Sequence, residues 1–173
     1  MPQLLITASG PDRPGIVGEL TGLLHQAGGN LLDSRMVNLR GQFAIMILVE
    51  VPESASRDLA DRLPRDGERM GLTLSVRPAG APATAVEGMR YRLKTYSLDQ
   101  PGIVARLSKL LQDRGVNIEE LVARQESAPF AGDPLFTTEM RLTVPKSIPL
   151  RKLRADLEAL CTQMNCDVDL DPV

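Results

Sequence analysis

Two short stretches of this chain carry residue types that could hold a small zwitterion. One is Asp12-Arg13-Pro14-Gly15-Ile16-Val17. The other, Asp99-Gln100-Pro101-Gly102-Ile103-Val104, restates it at an offset of 87. A helix that starts after such a bend presents unpaired backbone N–H groups and the positive end of its dipole, which suits a carboxylate. Gly15 and Gly102 have no Cβ, so a ligand can approach the backbone closely. Asp12 and Asp99 stand just ahead, where they could take the ammonium of the same molecule. The same residues also have ordinary roles. An aspartate before a helix commonly caps it, and Pro-Gly makes a good turn. Arg13 aligns with Gln100, so the two sites would not be equivalent.

Other chemistry-bearing residues offer less. His25 lies near the end of the first helical pattern and aligns with Gln112, and a general base needs placed partners. Cys161 and Cys166 lack C-x-x-C spacing and read as small buried hydrophobes. The charges from Asp61 to Arg69 read as a solvated helix face. The sequence shows no phosphate-binding loop, nucleophile elbow or H-E-x-x-H motif. The expectation is a protein without catalytic residues, cofactor or metal.

The elements that would position the two bends also repeat. Leu20, Leu23, Leu24, Gly28 and Asn30 recur 87 residues later as Leu107, Leu110, Leu111, Gly115 and Asn117. Val51-Pro52 recurs as Val144-Pro145, and Leu59 and Leu63 as Leu153 and Leu157. The growing offset places six extra residues in the second copy, within Ser127–Pro134, which is rich in turn formers. Segments 3–9 and 91–96 read as strands. Ile16, Val17, Leu20, Leu23 and Leu24 make one helical face. Pro14 and Pro101 suit a first helical turn, and Gly28 and Gly115 a helix exit at positive φ.

Strands follow over 31–38 and 43–51, then a helix over 55–70 that Pro64 should kink or break, and a strand over 72–76. The second copy predicts strands at 118–125 and 136–144, a helix at 150–164 and a strand at 167–170. The order βαββαβ is a split βαβ, or ferredoxin-like, unit. The fold class is therefore α+β: two such units, each an antiparallel sheet with helices packed on one face. Domains are expected at 1–77 and 90–173, with a Pro/Gly/Ala-rich linker at 78–89. The third strand of copy one is apolar on both faces, whereas that of copy two alternates. The open face of the first sheet is therefore expected to be covered, by the second copy or another chain.

Composition sets the limits. The 173 residues are 43% hydrophobic but only 3% aromatic, and net charge is −2. An aliphatic core follows, with few residues for stacking on bases or sugars. No basic run offers a footprint for DNA. The start of the chain lacks a signal-peptide pattern, and no apolar run approaches a membrane span. Two Cys and one His are too few for a disulfide framework or closed zinc site. A cytoplasmic setting is expected.

A duplicated βαββαβ pattern with D-x-P-G-I-V at the first strand–helix bend and G-x-N before the second strand resembles the ACT domain, a small-molecule sensing module. Two copies without a catalytic domain look like the repressor group of the glycine cleavage system. Tandem ACT units also serve uridylyltransferases, and the ACT unit of formyltetrahydrofolate deformylases begins similarly. In such domains effectors bind at this loop, at an interface between two units. The resemblance thus implies ligand contacts from Asp12, Arg13, Gly15, Ile16 and Asn30, and from Asp99, Gln100, Gly102, Ile103 and Asn117. The asparagines are expected near the same end of the sheet as the bends. The resemblance further implies a small amino acid effector, glycine, and a transcription factor as protein partner, with no direct nucleic-acid or membrane contact. The alternative is a ligand-independent interaction module or an accessory regulatory subunit of an enzyme. A homo-oligomer is left open.

Overall fold

The computed structural model describes residues 1–80, 87–126 and 134–173. Unit 1 comprises β1 (Gln3–Pro11), α1 (Ile16–Gln26), β2 (Asn30–Leu39), β3 (Gln42–Glu50), α2 (Glu53–Arg69) and β4 (Thr73–Pro78). Unit 2 comprises β5 (Gly88–Leu98), α3 (Ile103–Asp113), β6 (Asn117–Glu126), β7 (Leu135–Pro145), α4 (Leu150–Gln163) and β8 (Cys166–Pro172). The chain divides into two compact units, Met1–Ala83 and Thr84–Val173. Half of the expected linker, residues 81–86, and all but the last residue of the expected insertion lie outside the described residues.

Both units have the expected βαββαβ order. Their sheets run β2-β3-β1-β4 and β6-β7-β5-β8, with every neighbouring pair antiparallel. Because β1 and β2 are both antiparallel to β3, they run in the same direction. Strand period 2 and helix period 3.6 then sort each core. In unit 1, Leu4, Ile6 and Ala8 of β1 and Phe43, Ile45, Ile47 and Val49 of β3 face the helices. Ile16, Leu20 and Leu24 of α1 and Leu59 and Leu63 of α2 close over them. Unit 2 builds its own core from Leu93, Met140 and Leu142 under Ile103, Leu107, Leu111, Leu153 and Leu157. Each set is buried in one cluster per unit, which is the main source of stability in a chain with so few aromatics.

Two local expectations need correcting. Of the kink or break expected at Pro64, the break does not occur: helix α2 continues to Arg69. Pro64 forfeits one backbone bond, but Leu59 and Leu63 before it and Gly67 after it are buried against the sheet, and this packing holds the helix together across the gap. Pro14 and Pro101 do not sit in the first helical turn either. The helices begin at Ile16 and Ile103, with Gly15 and Gly102 as N-caps and the prolines ahead of them. The exits match the sequence reading, since Gly28 and Gly115 adopt φ of 72° and 66°.

Candidate functional site

The start of α1 is built around a glycine that no other residue replaces without strain. Gly15 has φ 93° and ψ −14°, and Gly102 has φ 93° and ψ 1°. Side chains with a Cβ rarely adopt this left-handed region. The flip aims the next amides outward. The first helical bond is donated by Glu19 N–H to Gly15 O at 2.9 Å, and by Arg106 N–H to Gly102 O at 2.9 Å in unit 2. The N–H groups of residues 16–18 and 103–105 precede it, and neither helix has a side-chain cap. A Cβ at Gly15 would meet Glu19 Oε1 only at 3.6 Å, and at Gly102 nothing within 4 Å. Both bends are therefore open to solvent, with donors pointing out. Ile16 and Ile103 are 2% exposed, so their side chains anchor the helices and only their backbone can serve a ligand.

The two aspartates do not cap. Asn38 Nδ2 donates to Asp12 Oδ2. Asn38 Oδ1 accepts from Gly41 N–H at 3.1 Å, and Asp12 N–H donates to Gly41 O at 2.8 Å. In unit 2, Gln125 Nε2 donates to Asp99 Oδ2 at 2.6 Å, and Asp99 N–H donates to Pro134 O at 2.8 Å. Each aspartate thus ties its bend to the far end of the second strand. Asn38 and Gln125 are partners of the two bends that sequence reading missed. The signal was there, a carboxamide at the same place in both copies, but Asn aligned with Gln does not read as a repeat.

The next position diverges. Arg13 clamps Glu19 with two bonds, at 2.6 and 2.8 Å. That hydrogen-bonded pair holds the Glu19 carboxyl below the ordinary carboxylate range and raises the Arg13 guanidinium. Gln100 instead donates through Nε2 to Met164 O, and Arg106, aligned with Glu19, reaches Gln163 Oε1 at 3.1 Å. The first bend is braced by its own helix, the second by the end of α4.

Beside the first bend lies an open hollow of ≈ 370 Å³. Asp12 through Gly18 form one wall, and Met36 and Phe43 the other. This is at the small end of ligand-site volumes. It joins the helix-start N–H groups, one carboxylate and an apolar wall.

Asn30 and Asn117 are not there, contrary to expectation. Asn30 pairs with Glu50, which in turn pairs with Gln3, so it lies at the start of β1. The bend follows the end of β1, beside Gln42. Since β2 runs parallel to β1, its first residue is a whole strand away, about 30 Å by the usual rise. Asn117, paired with Thr143, is displaced in the same way, and its amide donates to Glu119 at 2.5 Å.

Elsewhere, burial pushes the Cys161 thiol up to about 12, with Cys166 beside it adding to the effect. Both cysteines are buried. Among the described residues no group of three or more His, Cys, Asp or Glu is arranged to hold a metal ion, and no helix is long and apolar enough to cross a membrane.

Comparison with known proteins places these features among relatives. Residues 2–77 match the model of the ACT domain. A glycine cleavage system transcriptional repressor of Escherichia coli (strain K12) is 26% identical over 170 residues, 98% of this chain and 90% of its own. A UPF0237 protein of Methanococcus maripaludis is 32% identical over 78 residues, 44% of this chain and 87% of its own. The crystal structure of an unknown protein from Galdieria sulphuraria superposes with a TM-score of 0.82 at 28% identity, covering 99% of this chain and 98% of that one.

Proposed function

Because this chain belongs to the ACT-domain family, with two units in tandem, we propose that it is a non-enzymatic regulatory protein that senses a small amino acid. The observation that carries this reading is the uncapped helix start at Gly15, opening on a ≈ 370 Å³ hollow with Asp12 on its rim. The amides would take the ligand carboxylate, and Asp12 its ammonium while keeping the bond from Asn38. Gly102 and Asp99 repeat the arrangement in unit 2 with Gln100 in place of Arg13. Asn30 and Asn117 enter such a site only from a neighbouring unit, since within their own unit they stand at the wrong end of the strand. The likeness to the E. coli repressor makes glycine the first effector to try. Repression would then be indirect, through a transcription factor, because the chain carries −2 net charge and no basic run to grip DNA.

Calorimetry of the full chain with glycine and then the other proteinogenic amino acids tests this. Saturable heat is expected with at least one of them, weakened by Asp12→Asn. No heat with any of them overturns sensing. A second reading, an interaction module indifferent to ligands, draws on the same bends. Asp12 is bonded to Asn38 and Arg13 to Glu19, so the first bend is held by its own side chains without help. That reading expects a partner complex whose affinity no amino acid changes.

A further inference from the structure

The outer faces of the two sheets, turned away from the helices, differ in a way that selects a partner. In unit 1 one row across the sheet reads Asp33, Leu48, Leu5, Arg77, fixed by the pairings Asp33 with Leu48, Leu48 with Leu5, and Leu5 with Arg77. Met46, 48% exposed, and Ala44 extend the apolar centre along β3, beside Thr7 of β1. The row runs from a carboxylate at one edge, itself bonded to Arg35 of the next row, through leucine in the middle to arginine at the other. A two-fold axis lying between two such faces and parallel to the strands sets β2 over β4 of the second copy. Asp33 then lies over Arg77, Leu48 over Leu5, and the reverse on the other side. The sheets would pack about 10 Å apart, within reach of an arginine at the edge. A closed, isologous contact of this kind ends at the dimer.

The aligned row of unit 2 cannot do this. It reads Glu120, Arg141, Arg92, Asp171. The same operation sets Arg141 over Arg92 and Glu120 over Asp171, like charge on like. Its centre is also occupied by charges already paired, Arg141 with Glu120 at 3.2 Å and, one row along, Lys94 with Glu139 at 3.6 Å.

We infer that the outer face of the unit 1 sheet is a homodimer interface whose partner is the same face of a second copy of this chain. The inference is independent of the ligand reading.

Sedimentation equilibrium of the full chain is the test. The wild type is expected to associate to a dimer. Met46→Glu, at an already exposed position, is expected to leave a folded monomer. Asp33→Arg alone sets arginine against arginine, and Arg77→Asp alone sets carboxylate against carboxylate. Each is expected to raise the dissociation constant by about tenfold or more. The double exchange, Asp33→Arg with Arg77→Asp, is expected to recover most of the loss, although Asp33 also pairs with Arg35 at 2.7 Å in its own strand. Glu120→Arg in unit 2 is expected to change nothing. A wild type that stays monomeric, a dimer indifferent to Met46→Glu, or a double exchange that fails to recover overturns the interface.

Discussion

The two units share a backbone plan but solve the same packing positions with different side chains. Ala8 of β1 pairs directly with Ile45 of β3, and both are buried. At the matching pair unit 2 has Thr95 and Thr138, also buried, whose hydroxyls bond to each other at 2.6 Å. Where α2 crosses β4, unit 1 pairs a small residue with a large one, Gly67 against Leu74. A Cβ on Gly67 would fall 2.6 Å from Leu74 Cδ1 and 2.8 Å from its Cβ. At the matching crossing unit 2 has Cys161 on α4 and Val168 on β8, both alpha-helix and strand partners changed together. What is held constant is approximate volume and the left-handed glycines. What is free to change is the outer face and the side chain after the aspartate.

Mixing the solutions of one unit with those of the other should be destructive one residue at a time and tolerated in pairs. Gly67→Cys is expected to cost the most, about 3 kcal/mol from overpacking against Leu74, with most of it returned by adding Leu74→Val; urea unfolding of the single and double variants measures both. Thr138→Ile alone strands the Thr95 hydroxyl in the core, for about 2 kcal/mol. The pair Thr95→Ala with Thr138→Ile, which copies unit 1, should fall within about 1 kcal/mol of wild type by the same measurement.

Gly15→Ala and Gly102→Ala should each cost about 1–2 kcal/mol, and by similar amounts, because both glycines hold φ at 93°. Unequal losses would show that the bends are less alike than their dihedral angles.

The smallest effect concerns Arg13. Because Arg13 lowers the Glu19 carboxyl, the favourable contribution of the pair is present at neutral pH and fades as pH falls through the folded value of Glu19. In Arg13→Gln, which copies unit 2, an NMR titration should find Glu19 back in the ordinary carboxylate range, with stability at neutral pH barely moved because both side chains are exposed. An unmoved Glu19 titration would mean that the clamp does not persist in solution.

Much of this molecule is written locally. Helix faces such as Ile16, Leu20 and Leu24, the alternation of β7, and the glycine exits at Gly28 and Gly115 follow from periods of 3.6 and 2 and from the freedom of a residue without a Cβ. Those signals act over a few residues, so a single sequence carries them, and the internal repeat reads them twice. The chain by itself therefore determined two α+β units and the place of both bends.

Only the tertiary structure decided which residues meet there. Asp12 finds Asn38 and Asp99 finds Gln125 across 26 positions of sequence. Asn30, near the bend in sequence, lies a strand's length away, because α1 carries the chain back along β1 before β2 begins. The row from Asp33 to Arg77 likewise exists only once three strand registers are set. Register is fixed by burial of one face against the helices, a long-range constraint that shifts every side chain together, and no window of sequence contains it.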